Sequence, residues 1–97
     1  MKQLAIYCSR DLEERVVSAL DQAGVEGFVR IPHVTGNKFR EPGGVPRTLT
    51  WEALAFVVPG AEEATVEAVV RELEGYAGGC EIRPCLRMVV SSVEKAC

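Results

Sequence analysis

Two sets of side chains in this chain carry chemistry. Cys8, His33, Cys80 and Cys85 offer thiolate and imidazole, the soft donor set that zinc, copper(I) or nickel prefer. Arg30, Arg83 and Arg87, with Lys38, Arg40 and Arg47, offer cationic heads for an anion. The planar guanidinium fork matches phosphate or carboxylate. The bland reading stands beside each. Cys80 and Cys85 flank Arg83-Pro84 at a spacing that is not the C-x-x-C of a zinc ribbon or a redox site. A metal centre would need Cys8 and His33 to join them. His33 is the sole histidine, and a lone His after a strand is more often a hydrogen-bonded surface residue than a ligand. Surface arginines commonly pair with glutamates for little energy. Trp51 either packs at the end of a sheet or lids a ligand.

Catalysis finds no motif. The chain lacks G-x-S-x-G, a P-loop and a dinucleotide fingerprint. Cys8 and His33 have no third group to orient them as a nucleophile and base. Glu13, Glu14, Glu62, Glu63 and Glu67 read as solvated helix faces, not as a shared acid–base pair. The expectation is a binding protein, not an enzyme.

Most of the basic candidates lie in one stretch. Residues 34–50 hold Gly36, Asn37, Pro42, Gly43, Gly44 and Pro46, and show neither a helical nor a strand period. Lys38, Arg40 and Arg47 against Glu41 leave this stretch at +2 in a chain of net charge −3. Compact domains seldom keep a connection longer than about 12–15 residues without a function for it. The stretch reads as a mobile binding loop.

Short elements surround it. Leu4–Cys8 is an apolar run and reads as a buried strand. Ser9 or Asp11 can cap a helix in which Leu12, Val16, Ala19, Leu20 and Ala23 form one apolar stripe. Gly24 ends it. Gly27–Ile31 reads as a second strand, with Phe28 and Arg30 on one face and Val29 and Ile31 on the other. Pro32, which has no N–H to give, marks this as an edge strand. Trp51–Val58 is a third strand, apolar on both faces and so central. A second helix runs from about Ala61 to Glu74, with Val66, Val69, Val70 and Leu73 inward. A second loop spans 76–85, where Cys80–Ile82 can pair locally. Leu86–Val90 is the last strand.

Strand–helix–strand thus occurs twice. The simplest closed solution is α+β, a ferredoxin-like βαββαβ sandwich: a four-stranded antiparallel sheet with both helices on one face. Right-handed crossovers give the order 4-1-3-2. That order sends Cys8, His33, Trp51, Cys85 and the long loop to one end of the sheet. No helix covers the other sheet face, and an apolar central strand implies that a partner does. A cyclic homo-oligomer is the natural answer.

Composition agrees. The 97 residues make a single domain, 47% hydrophobic and 26% charged. The acidic balance argues against a nucleic-acid or anionic-membrane surface. No run nears the ~18 apolar residues of a membrane span. The first residues turn charged at Arg10 and Asp11, unlike a secretory core. The cytoplasm is therefore the expected compartment, with the four cysteines as thiols.

Three stretches resemble the PII signalling family. Gly24-Val25-Glu26-Gly27-Phe28 resembles its G-V-x-G-[MF] entry to strand 2. Ala55-Phe56-Val57-Val58-Pro59 resembles the run that ends strand 3. Arg87-Met88-Val89-Val90-Ser91-Ser92-Val93-Glu94 resembles strand 4 and its trailing turn. The resemblance implies a homotrimer with intersubunit clefts that hold a small-molecule ligand, such as an adenine nucleotide or a small anion. It implies that 34–50 matches the family's T-loop and meets an effector protein. It also implies that Arg87 stands where the family has a phosphate-binding lysine. The span Gly79–Arg87 departs from the family by lacking its glycine-rich phosphate loop. CutA-type trimers share the architecture, so a metal-responsive trimer using the Cys and His ligands is the alternative.

Overall fold

Alternation along the first strand sets up the whole molecule. In β1, Lys2–Cys8, the side chains of Leu4, Ile6 and Cys8 are buried while Gln3, Ala5 and Tyr7 are half-buried. Successive residues of a strand point to opposite faces, so β1 has one deep face and one shallow face. The computed structural model describes residues 1–40, 46–75 and 86–94, with the backbone alone for 35–40 and 46–52.

After β1 a 3-10 turn, Arg10–Leu12, leads into α1, Glu13–Gln22; β2 is Val29–Arg40, β3 is Pro46–Ala61, α2 is Glu63–Glu74 and β4 is Leu86–Ser92. The strands form one antiparallel sheet in the order β2-β3-β1-β4. This is the 4-1-3-2 order read from the opposite edge. The fold is the expected ferredoxin-like α+β sandwich, with β3 inside and β2 at an edge.

One side of the sheet meets both helices. Leu4, Ile6 and Cys8 of β1, Leu54, Phe56 and Val58 of β3 and Leu86 of β4 pack there with Leu12, Val16, Ala19 and Leu20, and with Val66, Val69 and Leu73 of α2. The apolar stripes of both helices are those that the 3.6-residue spacing predicts. Burying each large side chain is worth roughly 1.5–3 kcal/mol, so this layer is the main source of stability. Phe28 adds an edge-on contact to Phe56, with ring centroids 5.4 Å apart. Gly24 closes α1 at φ +80. Its N–H donates to Asp21 O at 3.1 Å, and the Val25 N–H donates to Leu20 O at 3.1 Å. That pair of bonds is the Schellman ending, and it needs the left-handed conformation that glycine takes cheaply.

Three expectations are corrected. The capping residue does not act through its side chain. Ser9 precedes the 3-10 turn and makes no side-chain cap bond, and its carbonyl instead accepts from the Leu12 N–H at 3.0 Å. The strand bounds are longer than the apolar runs: β2 and β3 continue well past Ile31 and well before Trp51. Residues 34–40 and 46–50 are accordingly paired strands and not an irregular loop. Thr35 pairs with Glu52, Gly36 with Trp51, Asn37 with Thr50, Lys38 with Leu49 and Arg40 with Pro46. A two-stranded ribbon is held by backbone bonds, and these place little demand on side-chain pattern. Residues 41–45 at its tip lie outside the described residues, as do 76–85 with the proposed Cys80–Ile82 pairing.

Candidate functional site

The rung through Leu54 organises one end of the sheet. Leu54 pairs with Cys8 on one side, and Cys8 pairs in turn with Leu86 at the start of β4. On the other side the ladder steps from Ile31–Ala55 to Val34–Ala53, so Pro32 and His33 together face the single residue Leu54. This is a β-bulge, and bulges favour places where a strand must bend or re-aim a side chain. Pro32, lacking a ladder donor, suits the position. The end of β1, the bulge, the start of β4 and the root of the ribbon therefore converge, as the strand order requires.

The side chains at this end have distinct roles. Cys8 is fully buried, on the helix-covered face. Its thiol is pushed up to about 11, chiefly by burial and further by the negative charges of Glu13 and Asp11. A thiol held neutral in the core is a poor metal ligand. His33 is exposed, and its Nδ1 lies 2.7 Å from Arg10 Nη2. Arginine can only donate, so Nδ1 accepts, and a neutral ring then carries its proton on Nε2. Cys8 and His33, the expected core of a metal centre, therefore lie in unlike settings: one belongs to the core and the other to the surface. Among the described residues no group of three or more His, Cys, Asp or Glu is placed to hold a metal ion. Cys80 and Cys85 lie outside the described residues.

The cationic candidates divide similarly. Arg30 faces the helices at the rung of Phe56. Its Nε donates to Glu13 Oε1 at 2.6 Å, with both side chains about a third exposed. It is occupied by an ion pair with α1, and it does not join the convergent end. Arg87 is exposed, opposite Tyr7 and next to Leu86. It lies on the helix-free side of the sheet, one position from the convergent rung. The backbone of Lys38, Arg40, Arg47 and Trp51 lies in the ribbon, beyond the bulge. Arg83 lies outside the described residues. Arg10 was not among the anticipated residues. The only hint in the sequence is Pro32, whose strand position leaves ladder groups to be satisfied by something else.

The helix-free side is the other functional feature. Across one row it carries Val89, Ala5, Val57 and Val29, and across the next Arg87, Tyr7, Ala55 and Ile31. Val29 is 52% exposed, Ile31 41% and Val89 50%. Only Arg87 breaks the apolar character of these two rows. Monomeric proteins rarely leave a contiguous apolar face in water. A shallow groove also opens between α2 and β4, with Val66, Val70 and Val90 at its base, but none of the convergent residues lines it. Among the described residues no helix is long and apolar enough to cross a membrane.

Neither a family profile nor a curated protein sequence matches the chain. Solved structures do. GlnK from B. subtilis, solved as its ATP complex, superposes with a TM-score of 0.75 at 13% identity, over 96% of this chain and 82% of that one. CPII from Thiomonas intermedia K12, bound to ADP, AMP and acetate, gives a TM-score of 0.66 at 19% identity, over 92% of this chain and 81% of that one. CPII bound to ADP, AMP and bicarbonate gives 0.66 at 20% identity, over 92% and 86%. The likeness runs along nearly the whole chain. The fold is that of PII-like nitrogen regulatory proteins.

Proposed function

We propose that this chain is a PII-like signalling protein: a homotrimer that binds a small anionic ligand in its intersubunit clefts and reports occupancy to an effector protein through the ribbon of β2 and β3. The observation that carries the reading is a combination. The fold matches proteins solved with ATP, or with ADP and AMP plus acetate or bicarbonate. Among the described residues the same fold here leaves an apolar sheet face uncovered, with Arg87 and the ribbon root at one end of it. Packing three such faces about an axis would bury Val29, Ile31, Val57 and Val89. It would also bring the Arg87 end of one protomer beside a neighbour.

Arg87 would supply the cationic fork for a phosphate or carboxylate. Lys38, Arg40 and Arg47 would give the ribbon a basic surface for an acidic effector. Because 79–87 lacks a glycine-rich phosphate loop, side chains rather than wrapped backbone amides would hold the anion. An adenine nucleotide and a small carboxylate or bicarbonate are the ligand classes to test first. The role is binding and relay, without a catalytic step.

Calorimetry with ATP, ADP, AMP, acetate and bicarbonate tests the reading. Saturable heat with at least one of them, lost in Arg87→Ala, is the expected result. No heat with any at millimolar ligand would reject it.

A further inference from the structure

The bulge at Pro32–His33 divides β2 into two lengths. Val29–Ile31 pairs within the globular sheet, and Val34–Arg40 pairs with the first half of β3, from Pro46 to Ala53. At the junction the ladder is broken, and Pro32 has no N–H with which to mend it. One side chain spans the break. The two N–H bonds of Arg10 Nη2 reach Pro32 O at 2.7 Å and His33 Nδ1 at 2.7 Å. Arg10 belongs to the 3-10 turn that follows β1. β1 is not a neighbour of β2 in the sheet, because β3 lies between them. The guanidinium therefore ties the β1–α1 connection to the root of the ribbon across the width of β3, near the Leu54 rung in the interior of that strand.

We propose that Arg10 is the positioning residue of the ribbon, a latch that fixes the direction in which β2 and β3 leave the sheet. Two features support a latch in preference to a core contact. Arg10 and His33 are both exposed, so the tie is reachable from solvent and can open without unpacking the interior. Both bonds converge on the two unpaired residues of the bulge, so they act on the hinge itself and not on the strands either side of it. The latch is independent of which ligand or effector the protein binds.

Amide hydrogen exchange on the whole chain tests the latch. Arg10→Ala should raise exchange at 34–40 and 47–53 by about tenfold or more, since losing even one hydrogen bond from a charged donor shifts a local equilibrium by roughly that factor. Exchange in Leu4–Cys8 and in α1 should stay as it is. His33→Ala leaves the Pro32 carbonyl engaged and should give a smaller rise. Adding His33→Ala to Arg10→Ala should change nothing further. Arg10→Lys, a point charge in place of a fork, should fall between wild type and Arg10→Ala, and it serves as the readout if the alanine variant does not fold. Ribbon exchange equal to wild type in Arg10→Lys and His33→Ala would overturn the proposal. So would a rise shared equally by β1, because that pattern marks general loosening.

Discussion

The two sides of the sheet are built from similar residues and meet different fates. Leu4, Ile6, Leu54 and Phe56 on the helix side are at most 1% exposed, whereas Val29, Ile31 and Val89 on the other are 41–52% exposed. Hydrophobicity alone does not separate a core from an interface; the partner layer does. On the helix side the layer is supplied by the chain itself. On the open side Ala53 and Ala55 are 1% exposed, while Val29, Ile31 and Val89 remain in water. The covered side makes the monomer stable. In the proposed trimer the open side is the area that another copy would cover.

The strongest break of this contrast is Phe56→Ala. Its ring is fully buried between sheet and helices, so chemical denaturation should show a loss of about 3–5 kcal/mol. A loss no larger than that of an exposed valine would erase the distinction between the faces. Cys8 follows. Its folded thiol titrates near 11 against an ordinary value of 9.0. The folded pKa is raised, so the contribution is complete below pH 9 and is lost as pH rises towards and through 11. The predicted loss over that window is on the order of 2–3 kcal/mol, and Cys8→Ala should flatten it. Stability that is level across the window in wild type would contradict the burial argument.

On the open side the order reverses. Val89→Glu should leave monomer unfolding within about 0.5 kcal/mol, as surface substitutions do. It should weaken assembly roughly tenfold or more, read by sedimentation over a concentration series. A variant that assembles like wild type would show that this face meets nothing. The smallest effect is expected at the Arg30–Glu13 pair. Both groups are partly solvated, and a double-mutant cycle should return about 0.2–1 kcal/mol that fades with salt.

The layered fold was legible because its signals are local and redundant. Gly24 needed the left-handed region, Pro32 marked an edge, and an apolar run at Leu54–Val58 required a central strand. With two right-handed crossovers, those elements permit few strand orders. The ribbon was not legible for a physical reason. Backbone pairing in a two-stranded arm does not require apolar and polar residues to alternate, so Gly36, Asn37 and Lys38 read as turn-like although their backbones pair. Cys8 misled in the opposite way. Its residue type suggested a ligand, yet its place in the alternation with Leu4 and Ile6 already assigned it to the core. The Arg10–His33 contact joins residues 23 apart across an intervening strand, and no sequence spacing encodes such a pair.

The central claim is that the uncovered face of the sheet is completed by other copies, which creates the clefts where an anion would bind. Light scattering on the purified chain at micromolar concentration tests it most directly. The account predicts a particle of three times the 10.6 kDa chain mass, falling towards one chain mass in Val89→Glu. A wild-type particle of a single chain mass at every concentration would contradict it.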